Sequence, residues 1–162
     1  MQYVAGVTTA IEAFRRHWEF VHGMTLAFTN EMPDEVWDFS PHQRFATFRK
    51  QLRHVVCVRG VYNDAITSGR ADFARKHEHY GGGLGRDELV SALLQKHEDL
   101  NGILGGLEDG ATIESFGKRF AFPEFAHVMV EHESLHQGQW CLYAALAGFE
   151  TPVHWRLEWG LY

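Results

Sequence analysis

Two histidines, His132 and His136, stand four positions apart in the run His132-Glu-Ser-Leu-His136-Gln-Gly138. On a helix that spacing puts both imidazoles on one face, about one turn apart. Two ring nitrogens so placed can close on a single cation, because a Zn–N bond is only about 2.0–2.1 Å long. The stripe that carries them also runs through Phe125, Val128, Met129, Gln139, Tyr143 and Leu146, at spacings of three and four. Such a stripe reads as the seam against neighbouring helices, where an imidazole pair is costly unless something satisfies its polar atoms. A metal ion does that. The chain contains 11 histidines in 162 residues, an excess that puts metal first among the chemistries to consider.

Taken literally, His132-Glu133-x-x-His136 is also the H-E-x-x-H signature of zinc proteases, with the glutamate as general base. The longer form of that signature needs Gly and a third His where this chain has Gln139 and Leu142. Glu150 and Glu158 are the only glutamates downstream that could replace the third ligand, and both fall at or beyond the end of the same helix. A metal-dependent hydrolase therefore stands as the alternative. The third ligand is better sought on another helix, where His54 sits between Leu52 and the Val55-Val56 pair. Glu133 lies off the metal-facing stripe; it and Glu131 are candidates for a carboxylate that orients a metal-bound imidazole, or for a solvated one. Cys57, one turn beyond His54, is within reach by spacing but reads as a packed thiol, and His127 as a structural residue.

The elements that must position these residues are long helices. The first is expected from about Thr8, its N-cap, to Asn30, with Ile11, Phe14, Trp18, Val21 and Phe28 inward. The second runs from about Arg44 to Thr67 on Phe45, Phe48, Leu52, Val55, Tyr62 and Ile66, with His54 one residue off that stripe. The third spans Arg86 to Leu107, and the fourth opens at Pro123 and closes at Gly148. Thr112 to Phe120 is too short for a helix and reads as extended. Residues 68–85, which include His77 and His79, are polar and aperiodic, and long for a helix connection. A stretch of that length can span a whole helix, so the second and third helices are expected to run parallel through a crossover, with the loop free to close over the site. The tail, with Trp155 and Trp159, is expected to pack back on the helices. The whole is expected to be one all-α domain, a four-helix bundle over residues 1–162.

Nearly the full length resembles the DinB/YfiT-like family of bacterial four-helix-bundle metalloproteins. The resemblance rests on Leu52-Arg-His54, on His132-x-x-x-His136-x-Gly138-Gln139 with the following Leu-Tyr-Ala-Ala-Leu-Ala-Gly148, and on Met32-Pro-Asp-Glu-Val-Trp-Asp-Phe39. It implies that His54, His132 and His136 hold one divalent metal, zinc first and nickel second, and that the helices run up-down-down-up. Relatives in the wider superfamily work on low-molecular-weight thiols, which implies a thiol co-substrate, S-transferase chemistry on a small molecule, and a homodimer. Leu135 and Gln137 stand where many members carry His and Arg; neither is one of the three ligands, so the implied metal site is kept, while a substrate contact near the second histidine stays open.

Composition narrows the classes further. Hydrophobic residues make up 45% and charged residues 22%, as in ordinary globular chains. Fifteen Lys and Arg against 21 Asp and Glu leave a formal charge of −6, which disfavours a nucleic-acid partner. No apolar run reaches membrane-span length, and the first residues lack a signal-peptide layout. With Cys57 and Cys141 in separate helices and no CxxC, a reducing, cytoplasmic setting is expected.

Overall fold

A computed structural model describes residues 8–161, the side chain of His77 excepted, so the residues 1–7 in which a leader was sought lie outside it. Four long helices carry the fold: α1 (Ala10–Glu31), α3 (Phe48–Ser68), α4 (Arg86–Gly105) and α5 (Phe122–Leu146). Two short ones, α2 (Asp34–Trp37) and α6 (Val153–Trp159), close the ends. The long helices pack in a ring, with α1 and α3 each lying against both α4 and α5.

Each helix starts where the local chemistry permits. Thr9, not Thr8, caps α1: its hydroxyl accepts from Glu12 N–H, while the Glu12 carboxylate accepts from Thr9 N–H at 2.9 Å. α3 begins four residues later than Arg44, because Ser40 ties the carbonyls of His42 and Phe45 into a turn and leaves Thr47 as the cap. Pro123 sits in the first turn of α5, where a missing N–H costs nothing.

The class is mostly helical, with one addition to the all-α expectation. Strands β1 (Thr112–Ser115) and β2 (Lys118–Ala121) form an antiparallel hairpin in the extended stretch. Both turn residues, Phe116 and Gly117, have positive φ (50° and 70°), as a two-residue turn compatible with strand twist requires. The hairpin also anchors the crossover: Ala71 N–H donates to Glu114 O, Glu114 N–H donates to Gly69 O, both at 2.8 Å, and Phe73 stacks on Phe116. From there the chain runs back along α3 through a 3-10 segment, Phe73–Glu78. It approaches so closely that a Cβ on Gly60 would lie 2.5 Å from the Cβ of His79.

Two buried clusters fill the ring. One gathers Met24, Phe28, Phe48, Leu52, Trp140 and Trp155, and the other Phe14, Trp18, Tyr62, Leu100, Phe125 and Met129. Trp155 of the tail is buried, donates to Met24 O at 2.7 Å and packs on Phe28. No described helix is long and apolar enough to cross a membrane.

Candidate metal centre

The buried stripe of α5 is offset from the expected one. It runs through Phe125, Met129, Glu133, Gln137, Trp140 and Ala144, while Leu135, Leu142 and Leu146 face outward. His132 and His136 therefore occupy the flank of the helix contact, half-buried, where they face His54 from α3. One nitrogen from each of the three rings falls within 4.8 Å of the others. The Nε2 of His132 lies 3.1 Å from that of His54 and 3.3 Å from that of His136. Nitrogens sharing one tetrahedral zinc at about 2.0–2.1 Å stand roughly 3.3–3.4 Å apart, so the two spacings through His132 come close to that value. Lone pairs aimed at one point repel unless a proton or cation lies between them. This donor set fits a divalent ion.

The protonation state fits as well. Burial pushes the His132 imidazole down to about 4 from its ordinary value near 6.5, helped by the neighbouring His136 and His54. Burial lowers His136 too, against a smaller opposing pull from Glu133. Neutral rings are what coordination requires.

A chain of polar side chains sets the tautomer of His136. Trp140 Nε1–H, which can only donate, reaches Gln51 Oε1 at 2.9 Å. Gln51 Nε2 in turn donates to Tyr143 Oη at 2.7 Å, and that hydroxyl donates to Ala46 O at 2.9 Å. Gln51 thus turns an acceptor toward Nδ1 of His136, 3.4 Å away, so Nδ1 carries the hydrogen and Nε2 is left bare toward the other histidines. Sequence reasoning gave Gln51 no role. The available signal was Trp140 and Tyr143, one and two turns beyond His136 on the same face.

The two candidate carboxylates land elsewhere. Glu131 is exposed. Glu133 is buried, not solvated, and bonds to Arg59 and Thr25 in place of a histidine. Around it lies a polar network that no apolar pattern announces. Gln137 donates to Val21 O at 2.9 Å and to Thr25 Oγ1 at 3.0 Å. Arg59 also donates to Nδ1 of His22, at 2.8 Å, and His22 stacks on His97 with ring centres 3.8 Å apart. Burial first, then Arg59 and His97, holds His22 down to about 2. Cys57 is a packed thiol near Tyr80 O and outside the cluster; burial pushes its pKa up. His79 pairs with Asp64 at 3.1 Å, and His127 is exposed.

Comparison with known proteins adds the following. The profile of the DinB superfamily matches residues 17–140. No curated protein sequence matches. Among solved structures, the chain is similar to a DinB-like protein, YjoA, from Bacillus subtilis, with a TM-score of 0.67 over 88% of this chain and 96% of that one. At 15% identity the likeness concerns the fold.

Proposed function

The chain belongs to the DinB superfamily, and from that premise we propose that it is a metal-dependent enzyme that activates a low-molecular-weight thiol for transfer to a small electrophile. The observation that carries this reading is the convergence of one nitrogen from each of His54, His132 and His136 within 4.8 Å. These three residues are the ligands, zinc the first choice of ion and nickel the second, since three imidazoles suit both. An ion held by these residues would lower the pKa of a coordinating thiol so that it reacts as the thiolate. The chain's own part is to hold His132 neutral by burial, to fix His136 through Gln51, and to shape the space beside them.

Further parts of the proposal follow the same family. The long helices run up-down-down-up, as the 17-residue connection from Gly69 to Gly85 between α3 and α4 permits. The enzyme works as a cytoplasmic homodimer on small molecules, with no nucleic-acid partner. Exposed Leu142, Leu146, Leu157 and Trp159 offer apolar surface for a second copy. Leu142→Glu with Leu157→Glu should leave a monomer in sedimentation if that surface is used.

Metal analysis of protein purified without chelators tests the core of the reading. Wild type should retain about one divalent ion per chain, and His54→Ala and His136→Ala should lose it. The loaded protein should conjugate monobromobimane or chlorodinitrobenzene with a bacterial thiol. Turnover of an ester or peptide with no thiol present would favour the hydrolase alternative. Unaltered metal content in His132→Ala, with no activity in any assay, would leave a non-catalytic bundle.

A further inference from the structure

Beside the triad, a cavity of about 280 Å³ is lined by Lys50, Arg53, His54, Cys57, Lys76 and Leu84. Lys50, Arg53, His54 and Cys57 are spaced i, i+3, i+4 and i+7 along α3, so a single helix face forms one wall. The crossover supplies the other, through Lys76 of its 3-10 segment and Leu84. No carboxylate lines this space among the described residues. Arg49 and Arg86, nearby on the same side, are neutralised by Asp38 and Asp34. Among the described residues Lys50 and Lys76 have no acidic partner, and Arg53 spends its Nε–H on Gly82 O at 3.3 Å and lies over the Tyr80 ring. Glu88, the acid nearest the glycine run of the crossover, is engaged by Gly83 N–H at 2.7 Å. The positive charges of Arg53 and Lys76 both act on the Cys57 thiol in the cavity wall. In a chain of formal charge −6, three uncompensated cations around one cavity that includes His54 make a local anion site.

We propose that the small molecule reaching the His54–His132–His136 cluster is anionic, and that Lys50, Arg53 and Lys76 hold its carboxylate while its other end meets the triad. This rests on the thiol reading for the group at the triad, but not for the charge. Lys50 and Lys76 act as point charges on long stems, which suits a carboxylate at variable distance, whereas Arg53 supplies directional donors. The crossover thereby gains a purpose, since it brings a cation from residue 76 to a helix face it could not otherwise reach.

Matched thiols separate the charge from the thiol. Cobalt(II)-loaded protein is titrated with 3-mercaptopropionate, 3-mercaptopropanol and cysteamine, following the thiolate-to-cobalt charge-transfer band. The expected result is binding of the carboxylate at least about tenfold tighter than of the alcohol, the size of one charge-assisted hydrogen bond. Lys50→Gln with Lys76→Gln, which leaves Arg53 alone, should shrink that ratio, and Lys50→Glu with Lys76→Glu, which turns the local charge from +3 to −1, should reverse the order in favour of cysteamine, a gain that misfolding cannot mimic. Equal affinity for all three thiols in wild type would overturn the anion site while leaving the thiol reading intact. Absence of the band with every thiol would overturn the thiol reading instead. The anion site is then decided by succinate against 1,4-butanediol on the protein as purified, read from the NMR signals of Arg53 and Gly82. Shifts with succinate alone, lost in the Lys50→Glu, Lys76→Glu variant, support the site; no shift with either overturns it.

Discussion

Arg59 of α3 and Glu133 of α5 form an ion pair buried in the ring of helices, with Nε donating to Oε2 at 3.1 Å and a second bond from Nη2 to Oε1. Arg59 follows His54 by five positions and Glu133 follows His132 by one. The pair therefore cross-links the two helices that bring the triad together. Burying two charges is expensive, and the arrangement offsets that cost only because Thr25 and His22 complete the hydrogen bonds. Glu133→Ala leaves Arg59 buried without its partner and should lower stability by about 3–5 kcal/mol in urea unfolding. Arg59→Met combined with Glu133→Leu should recover most of that loss. A single variant costing under about 1 kcal/mol would show that water already reaches the pair.

Gln51 acts through His136 and is a positioning residue. Gln51→Leu removes the acceptor at Nδ1 and also strands Trp140 Nε1–H. Metal affinity should fall about 10–100-fold, measured by competition with a chromophoric chelator. Gln51→Glu retains the acceptor and should retain most of the affinity. Equal losses in the two variants would mean that Gln51 serves packing alone.

Acidity should act on the metal-free chain with a definite sign. His132 and His22 are held to about 4 and about 2, both below the ordinary value near 6.5. Between roughly pH 5 and 6.5 the unfolded chain binds these protons and the folded chain does not, so stability rises with pH through that window and levels off above it. The slope is at most about 1.4 kcal/mol per pH unit for each group. His22→Phe should flatten it, measured from urea midpoints at pH 5.0, 5.8 and 6.5. For the loaded protein, the lowered His132 value means that protons displace the metal only well below pH 6.5. Half-loss at or above pH 6.5 would contradict the neutral triad.

The tail is structural. Trp155 fills the first core cluster and donates to Met24 O. Trp155→Ala should cost about 3–5 kcal/mol, seen as a lower urea midpoint. Trp159, about half exposed on Phe20, should cost far less.

Several features were fully legible in the residues. The four long helices follow from apolar spacing and capping chemistry, which act within a few positions of the chain. Pro123 at the start of α5, Gly148 with φ of 85° just past its end, and the three histidines are of this kind. The i, i+4 spacing of His132 and His136, the apolar flanks of His54 and the family resemblance together pointed to these three rings.

Tertiary structure decided what no local pattern encodes. A buried polar residue is satisfied by partners far away in sequence, so the network of Arg59, Glu133, His22 and Gln137 emerges only when α1, α3 and α5 are brought together. Leu146 gave the opposite signal: the expected stripe of α5 counted it inward, and it faces outward. The same holds for the cavity: Lys50 and Lys76 become neighbours only when the crossover lies down along α3, which the absence of a side chain at Gly60 permits. Periodicity reports which face of a helix is apolar. It carries no information on which charges are paired, because pairing is settled by long-range contacts.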